Sequence, residues 1–384
     1  MCEKEFNKDV RELMIRTKVS TLLQERPVVL LKQESTVELA LQTLASRKIL
    51  SAPVVGAPEG SDPTTFTANT EHQDIVCFVD IRDILESFLK ELPDDVVHRT
   101  KMLKRMQVLE EKGPAFATRS LSSLPVIGSD GTFYQVRASA MSLMEFIHDA
   151  LLYPRGTKAM HGGKKTLNVV HRVALFDNSS RITHIVSQSD IARFLHEHKS
   201  LLGALANMTA QQLGWSGRSV VSVTPDTCAM VACSLMAEKN IAGIGVVSQS
   251  GALIGNFSYS DLRTMCADHF STMALPVAEF LALEHGTEYS GARAGKDDDE
   301  DSTPVPRTST SQFPGNRLLR RRSSVGYKVG QELILATPDE KFTQILDKLV
   351  ENHLHRLYIV DGANKPVGVV TLTDILRVVT DQSH

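Results

Sequence analysis

Four short segments of the chain each place a carboxylate close to polar side chains. Three of them read hydroxyl–x–hydroxyl–Asp, and these are Ser187, Ser189 and Asp190; Ser258, Ser260 and Asp261; and Thr371, Thr373 and Asp374. The remaining segment, which comes first in the chain, keeps its carboxylate at Asp83 but has Asp80 and Arg82 at the hydroxyl positions. A carboxylate flanked by hydroxyls suits the paired hydroxyl groups of a ribose. The same residue types are preferred helix N-caps, so capping alone would explain any single copy.

The dipeptide His-Arg occurs upstream of two of these segments, as His171-Arg172 and His355-Arg356. The planar fork of arginine matches phosphate oxygens, and histidine adds a donor whose charge varies near neutral pH. Leu50-Ser51 and Ile241-Ala242 stand at the corresponding places of the other two copies. The repeated dipeptide favours phosphate binding, and ordinary surface contacts at a strand edge are the alternative.

The elements that must position these residues also repeat. Each Asp follows an apolar run with strand character and precedes a helical pattern. Upstream of each Asp lies an amphipathic stretch with the same spacing of apolar residues in all four copies. These stretches begin at Val37, Leu143, Cys228 and Phe342. The first residue of the stretch lies 33 positions before the Asp in the third copy (228 to 261) and 32 in the fourth (342 to 374). The first two copies are longer because they carry insertions. Each copy predicts strand, helix, strand, strand, helix.

Composition predicts a soluble α/β protein of more than one domain. The chain has 384 residues, 42% hydrophobic and 23% charged, with a net charge of −3. No apolar run suits a membrane span or a signal peptide, and the charge argues against nucleic-acid binding. Five cysteines without a C-x-x-C motif fit reduced thiols. We expect a cytoplasmic protein, with the nucleus as a second location.

The sequence carries no signature of an enzyme. A P-loop, a GxSxG motif, kinase motifs and His/Cys clusters with metal spacing are all missing from it. We therefore expect no catalytic residues, no metal and no catalytic cofactor.

Residues 284–326 differ from the rest of the chain. They are rich in Ser, Thr, Gly, Pro and acidic residues and poor in apolar ones, which predicts a disordered linker. Within it, RRRSS would allow a basophilic kinase to phosphorylate Ser323 or Ser324. The alternative is a solvated basic tract.

The repeated unit resembles the cystathionine-β-synthase (CBS) domain. Four copies, paired as two Bateman modules, resemble the gamma subunits of AMP-activated protein kinase and their yeast and plant relatives. The segment LVENHLHRLYIVDGANKPVGVVTLTDILRVV is the most similar. The resemblance covers about residues 18–275 and 327–384. It places repeat 1 at 18–90, repeat 2 at 120–200 with an insertion near 153–165, repeat 3 at 212–275 and repeat 4 at 327–384.

The resemblance implies a pseudo-symmetric disc with clefts that bind AMP, ADP or ATP as regulatory ligands. Ribose would be held by the motif carboxylates and their neighbouring hydroxyls, and phosphates by His171, Arg172, His355 and Arg356. The partners implied are the alpha and beta subunits of a protein kinase. Leu50 departs from the animal family, where an arginine contacts phosphate, and Ser189 and Asp190 replace its lysine and arginine. A four-CBS scaffold that binds another adenosyl ligand, or none, is the alternative.

Overall fold

The computed structural model describes residues 6–23, 28–56, 74–125, 141–153, 158–161, 164–167, 169–176, 182–285 and 333–380. Within them, all four repeats contain a helix followed by two antiparallel strands, and a very short strand precedes the helix in repeats 1, 3 and 4. A second helix ends repeats 1, 2 and 4, and a single 3-10 turn ends repeat 3. This confirms the predicted α/β fold of small sheets and helices. The opening strand predicted for repeat 2, at TFYQV, lies outside the described residues.

The first half of the chain contains repeats 1 and 2. Helix α1 (Lys8–Arg16) precedes them. Repeat 1 consists of β1 (Leu31–Lys32), α2 (Val37–Arg47), β2 (Ser51–Gly56), β3 (Asp74–Asp80) and α3 (Ile81–Glu91). Helices α4 (Asp94–His98) and α5 (Met102–Ala117) follow. Repeat 2 consists of α6 (Leu143–Phe146, continued as a π-helix over Ile147–Leu152), the inserted β4 (Lys158–His161) and β5 (Lys164–Leu167), then β6 (Arg172–Phe176), β7 (Ile182–Ser187) and α7 (Gln188–Glu197).

The second half contains repeats 3 and 4. Repeat 3 consists of β8 (Ser222–Val223), α8 (Ala229–Glu238), β9 (Gly243–Val247), β10 (Leu253–Ser258) and a single 3-10 turn, Tyr259–Leu262. A 3-10 helix (Ala267–Ala274) and α9 (Val277–His285) follow. Repeat 4 consists of β11 (Leu335–Ala336), α10 (Phe342–Glu351), β12 (Arg356–Val360), β13 (Pro366–Thr371) and α11 (Leu372–Thr380). Further 3-10 turns lie at Val19–Leu22, Leu121–Ser123, Lys199–Leu201 and Gly203–Asn207.

The repeats are joined in pairs, because the segment that precedes each repeat pairs with the other repeat rather than with its own. We call these the exchanged leading segments. A residue that precedes one repeat forms a β-bridge with the N-cap of the first helix of the other. The bridges are Lys18 with Ser142 and Ser120 with Thr36 between repeats 1 and 2, and Thr209 with Lys341 and Pro276 with Cys228 between repeats 3 and 4. The predicted grouping into two modules therefore matches the fold.

The helices build two cores that run across the modules. Repeats 1 and 3 share one core, in which the rings of Phe88 and Phe270 lie 4.5 Å apart and those of Phe88 and Phe116 lie 5.1 Å apart. Repeats 2 and 4 share the other, which includes Phe146 and Phe342. Each repeat thus meets one neighbour through its exchanged segment and another through its helices.

Repeat 3 has a register that differs by one residue from the predicted one. Cys228 is the N-cap of α8, whereas Phe342 is the first helical residue after its own N-cap, Lys341. Counted from the N-caps, the motif Asp follows 33 positions later in both repeats, from 228 to 261 and from 341 to 374. Helix α8 is apolar on nearly every side, so its periodicity could not identify its buried face. The residue equivalent to Arg356 is therefore Gly243. The sequence pattern had placed Ala242 at this position, which was wrong.

Two further predictions concern connecting segments. The insertion of repeat 2 was predicted as a loop, but it contains the antiparallel hairpin β4–β5, in which Lys158 pairs with Leu167. Helix α9 extends to His285 and so includes the first two residues of the predicted linker. The remainder of that linker, with Ser323 and Ser324, lies outside the described residues. Among the described helices, none combines the length and apolarity needed to cross a membrane.

Candidate functional site

Each hydroxyl–x–hydroxyl–Asp segment forms the junction between a strand and a helix. In repeat 2, Asp190 Oδ2 accepts hydrogen bonds from Ser187 N at 2.8 Å and Ser187 Oγ at 2.7 Å. In repeat 4, the carboxylate of Asp374 accepts from Thr371 N at 2.8 Å and Thr371 Oγ1 at 2.6 Å. A residue at N3 that bonds back to its N-cap closes a capping box. The capping role is therefore present at both junctions.

Repeat 3 uses the same device, and repeat 1 uses a variant. Asp261 Oδ2 accepts from Ser258 N at 2.8 Å and from Ser258 Oγ at 2.9 Å. In repeat 1 the N-cap is itself a carboxylate: Asp80 Oδ1 accepts from Asp83 N at 2.8 Å, and Asp83 Oδ2 accepts from Asp80 N at 3.0 Å. In all four repeats one oxygen of the motif Asp holds the junction. The predicted contact with ribose would fall to the other oxygen, which in Asp190 already accepts a hydrogen bond from Arg193 Nη1 at 3.1 Å. This contact stays a prediction.

The second hydroxyl of the motif lies on the first turn of each helix. Thr373 Oγ1 donates to Gln188 Oε1 at 3.1 Å, which joins repeat 4 to repeat 2. Ser189 and Ser260 occupy the same position in repeats 2 and 3 and are half-buried. Arg82 takes this position in repeat 1 and pairs with Glu86.

The two predicted phosphate arginines each reach across a module to the partner repeat. Arg172 Nη1 donates to Ser51 Oγ at 2.7 Å. The guanidinium of Arg356 lies against Gly243, where an added Cβ would fall 2.5 Å from Arg356 Cζ. Ser51 and Gly243 occupy the positions equivalent to these two arginines, because each of the four residues is the cross-strand partner of an N-cap. The pairs are Ser51 with Asp80, Arg172 with Ser187, Gly243 with Ser258, and Arg356 with Thr371.

These contacts, with two others, link the four repeats in a ring. Arg172 joins repeat 2 to repeat 1, Arg356 joins repeat 4 to repeat 3, and Thr373 joins repeat 4 to repeat 2. Arg263 Nη1 donates to Lys48 O at 3.3 Å, which joins repeat 3 to repeat 1. Where these repeats meet, positively charged or ionisable side chains influence one another. We call this group the central cationic cluster: His171, Arg172, Arg263, His355 and Arg356.

Burial and the neighbouring charges lower the pKa values of the two histidines in the cluster. Each residue keeps some exposed surface, but the surrounding protein removes much of the hydration of the imidazole. Burial, followed by the charges of Arg172 and Arg356, lowers the pKa of His355 to about 4. Burial also lowers the pKa of His171, although the carboxylate of Asp80 acts in the opposite direction. Both shifts favour the neutral imidazole, whereas a bound anion would favour the protonated form.

Sequence reasoning missed Arg263, Ser51 and Gly243. Arg263 stands two residues after its motif Asp, where the other repeats have the buried core residues Leu85, Ala192 and Leu376. An arginine at a core position was the signal, and it fits because repeat 3 ends in one 3-10 turn. Ser51 and Gly243 carry no signal of their own, since they matter only by accommodating an arginine from the partner repeat.

One group of side chains among the described residues has a composition suited to a metal ion. His196 Nε2 lies 3.1 Å from Asp347 Oδ1 and 3.7 Å from Glu351 Oε1. However, Lys199 Nζ lies 2.9 Å from the same Asp347 oxygen. The ion pair of Lys199 with Asp347, beside the contacts of His196 on α7 with α10, accounts for this arrangement.

Comparison with known proteins gives a family match in repeat 4 and a structural match over most of the chain. The family model described as CBS domain matches residues 329–381. Among solved structures, protein MJ1225 from Methanocaldococcus jannaschii aligns with a TM-score of 0.57 over 94% of this chain and 99% of that one, at 16% identity. At this identity the likeness shows the fold, and it extends across all four repeats.

Relatives found by sequence match a smaller part of the chain. The 5'-AMP-activated protein kinase subunit gamma-3 of Homo sapiens is 22% identical over 215 residues, which are 55% of this chain and 35% of that protein. Protein SDS23 of Scheffersomyces stipitis is 23% identical over 199 residues, which are 51% of this chain and 31% of that protein. The match thus spans about a third of the length of these relatives.

Proposed function

We propose that this CBS-domain protein is a non-catalytic regulatory subunit that senses adenine nucleotides and modulates a protein kinase. The observation that carries the proposal is the central cationic cluster. Two His-Arg pairs, distant in sequence, converge with Arg263 where all four repeats meet. Positive charge concentrated at one place and partly withdrawn from water favours an anion such as phosphate.

The junctions around the cluster supply the remaining chemistry. The motif carboxylates of repeats 2 and 4 close helix N-termini, and the positive end of a helix dipole favours anions nearby. A ribose hydroxyl would donate to the carboxylate oxygen that the cap does not use. Repeats 2, 3 and 4 keep the full motif, so we propose that AMP, ADP or ATP binds in the clefts to which they contribute.

Regulation would follow from the charge difference between the nucleotides. AMP and ATP would interact differently with the two His-Arg pairs, because their phosphate groups carry different negative charges. A ligand shifts a conformational equilibrium only through its differential affinity for the two states. The surface read by a kinase would change because the arginines bridge repeats within each module.

The kinase partner is supported by one group of relatives. Gamma-3 is a subunit of a kinase, and we propose kinase alpha and beta subunits as partners. The similarity to SDS23 proteins, whose name specifies no kinase, favours the alternative of a CBS regulator outside a kinase complex. Co-purification from cells separates the two: kinase subunits support the first, and a homodimer without them supports the second.

Calorimetric titration of the full chain tests the ligand. We expect saturable binding of AMP, ADP or ATP below millimolar concentration. Replacing Arg172 and Arg356 together by Gln should weaken binding at least about tenfold, since bonds to charged groups contribute about 1.5–3 kcal/mol each. Arg47→Gln removes the same charge from an exposed helix end and should leave binding unchanged. Absence of binding of all three nucleotides at millimolar concentration would contradict the proposal.

A further inference from the structure

Repeat 1 differs from the other repeats in the charge of its N-cap. Asp80 stands where repeats 2, 3 and 4 have the neutral hydroxyls of Ser187, Ser258 and Thr371. A hydroxyl satisfies a cap as well as a carboxylate does, so capping does not require the charge. The additional negative charge at this junction therefore needs another explanation.

The backbone register places Asp80 beside the central cationic cluster. Asp80 is the cross-strand partner of Ser51 in the β2–β3 pair. Directly opposite residues project from the same face of a sheet, with Cβ atoms about 4.5–5.5 Å apart. Ser51 Oγ accepts the hydrogen bond from Arg172 Nη1 at 2.7 Å. The guanidinium from repeat 2 is thus held next to the carboxylate of repeat 1.

Electrostatics agrees with this placement. Burial lowers the pKa values of His171 and Arg172, and in both cases Asp80 is the largest influence in the opposite direction. Burial, followed by the charge of Asp80, raises the pKa of Asp83 well above its usual range.

Arg82, two residues away, is engaged elsewhere. It pairs with Glu86, donates from Nη2 to Asn240 Oδ1 at 2.8 Å, and lies 5.9 Å from the centre of the Tyr259 ring. Its guanidinium therefore belongs to the contact between repeats 1 and 3, where Glu86 offsets its charge.

We propose that Asp80 is a built-in counter-anion of the central cationic cluster, and that it makes the cluster select nucleotides by phosphate charge, with AMP favoured over ATP. The inference rests on the proposed nucleotide function. Repeat 1 holds a carboxylate where a terminal phosphate of ATP would meet Arg172 and His171. Repulsion between like charges grows with the charge of the ligand, so it penalises ATP more than AMP.

The test is a comparison of phosphate selectivity in charge-matched variants. Asp80→Asn keeps an N-cap of the same shape and removes the charge. Without Mg²⁺, we expect the variant to raise the ratio of ATP affinity to AMP affinity at least about fivefold. Glu110→Gln removes the same charge from the exposed face of α5 and should change neither affinity. Ser258→Asp adds the carboxylate at the equivalent junction of repeat 3 and should lower ATP affinity more than AMP affinity.

Inorganic phosphate and tripolyphosphate, titrated in parallel, separate the inference from the function on which it rests. If nucleotides bind but Asp80→Asn leaves the ATP-to-AMP ratio unchanged, the inference is overturned and the function stands. A second outcome is that only the inorganic anions bind and that Asp80→Asn raises the affinity for tripolyphosphate more than the affinity for phosphate. In that case the role of Asp80 as counter-anion is supported, and the nucleotide function is contradicted. If no anion binds to the unaltered chain, both are overturned.

Discussion

The guanidinium of Arg356 lies over the backbone of Gly243, the residue at its own equivalent position in the neighbouring repeat. Arg172 has the same relation to Ser51 in the other module. The even-numbered repeats thus supply the arginine, and the odd-numbered repeats supply a small residue that accommodates it. The two His-Arg pairs thus reach the centre from repeats 2 and 4, while repeats 1 and 3 provide the space for their arginines.

The first prediction concerns this space. Gly243→Ala should displace Arg356, because the added Cβ would lie 2.5 Å from its Cζ atom. The guanidinium is the end of a flexible side chain, so the free energy of unfolding should change by no more than about 1 kcal/mol. Nucleotide affinity should fall about tenfold, as expected when one charged hydrogen bond is lost. Calorimetry and chemical denaturation measure the two quantities separately.

Gly362→Ala is the matched control for Gly243→Ala. A Cβ at Gly362 meets nothing within 4 Å, so both stability and affinity should stay near those of the unaltered chain. Equal losses of affinity in the two variants would contradict a specific role for the space at Gly243.

The second prediction concerns Asp374. If Asp374 only contacted ribose, Asp374→Ala would weaken nucleotide binding and hardly affect folding. The capping box changes that expectation, because the variant loses the acceptor for both Thr371 N and Thr371 Oγ1. Without any nucleotide, the free energy of unfolding should fall by about 1 kcal/mol. Chemical denaturation of the ligand-free protein measures it.

Asp374→Asn separates the cap from the proposed ribose contact. Asparagine retains an oxygen acceptor for the junction but loses the charge, so it should lose less stability than the alanine variant. Its affinity for AMP should still fall. If Asp374→Ala unfolds at the same denaturant concentration as the unaltered chain, the box contributes nothing measurable and this expectation is wrong.

The third prediction concerns pH. The pKa of His355 is about 4 in the folded chain, against an ordinary value of 6.5. The unfolded chain therefore binds a proton more readily, so folding stability is fully present above pH 6.5 and decreases as the pH falls towards 4. His355→Gln should flatten this part of the stability profile. Titration of the imidazole by NMR should give a midpoint well below 6.5, and saturation with AMP should raise it; a midpoint near 6.5 would contradict the cluster.

The sequence predicted the repeat and its polar junctions because both are local patterns. Strand-to-helix transitions marked by Asp190, Asp261 and Asp374 combine periodicity with N-cap chemistry, and each can be recognised within one repeat. The shift of one residue at Cys228 arose where that local pattern fails. Helix α8 presents apolar residues on almost all sides, and only its cap geometry fixes where it begins.

Contacts between repeats could not be predicted in the same way. The neighbour of Arg172 is Ser51, 121 positions earlier, and nothing in the sequence near either residue indicates the other. Arg263 is accessible only because the second helix of repeat 3 is reduced to one turn. Such relationships depend on how whole repeats pack, which hydrophobic periodicity does not specify.

The exchanged leading segments, with Lys18 on Ser142 and Ser120 on Thr36, determine where the chain can be divided. A fragment that ends between repeats 1 and 2 would keep one half of each exchange and leave the first helices without their bridging partners. The smallest fragment expected to fold without assistance is therefore a whole pair. The same reasoning applies to the ancestry of the chain: a duplication that copied one repeat alone would have had to borrow its leading segment from a second molecule until a pair existed.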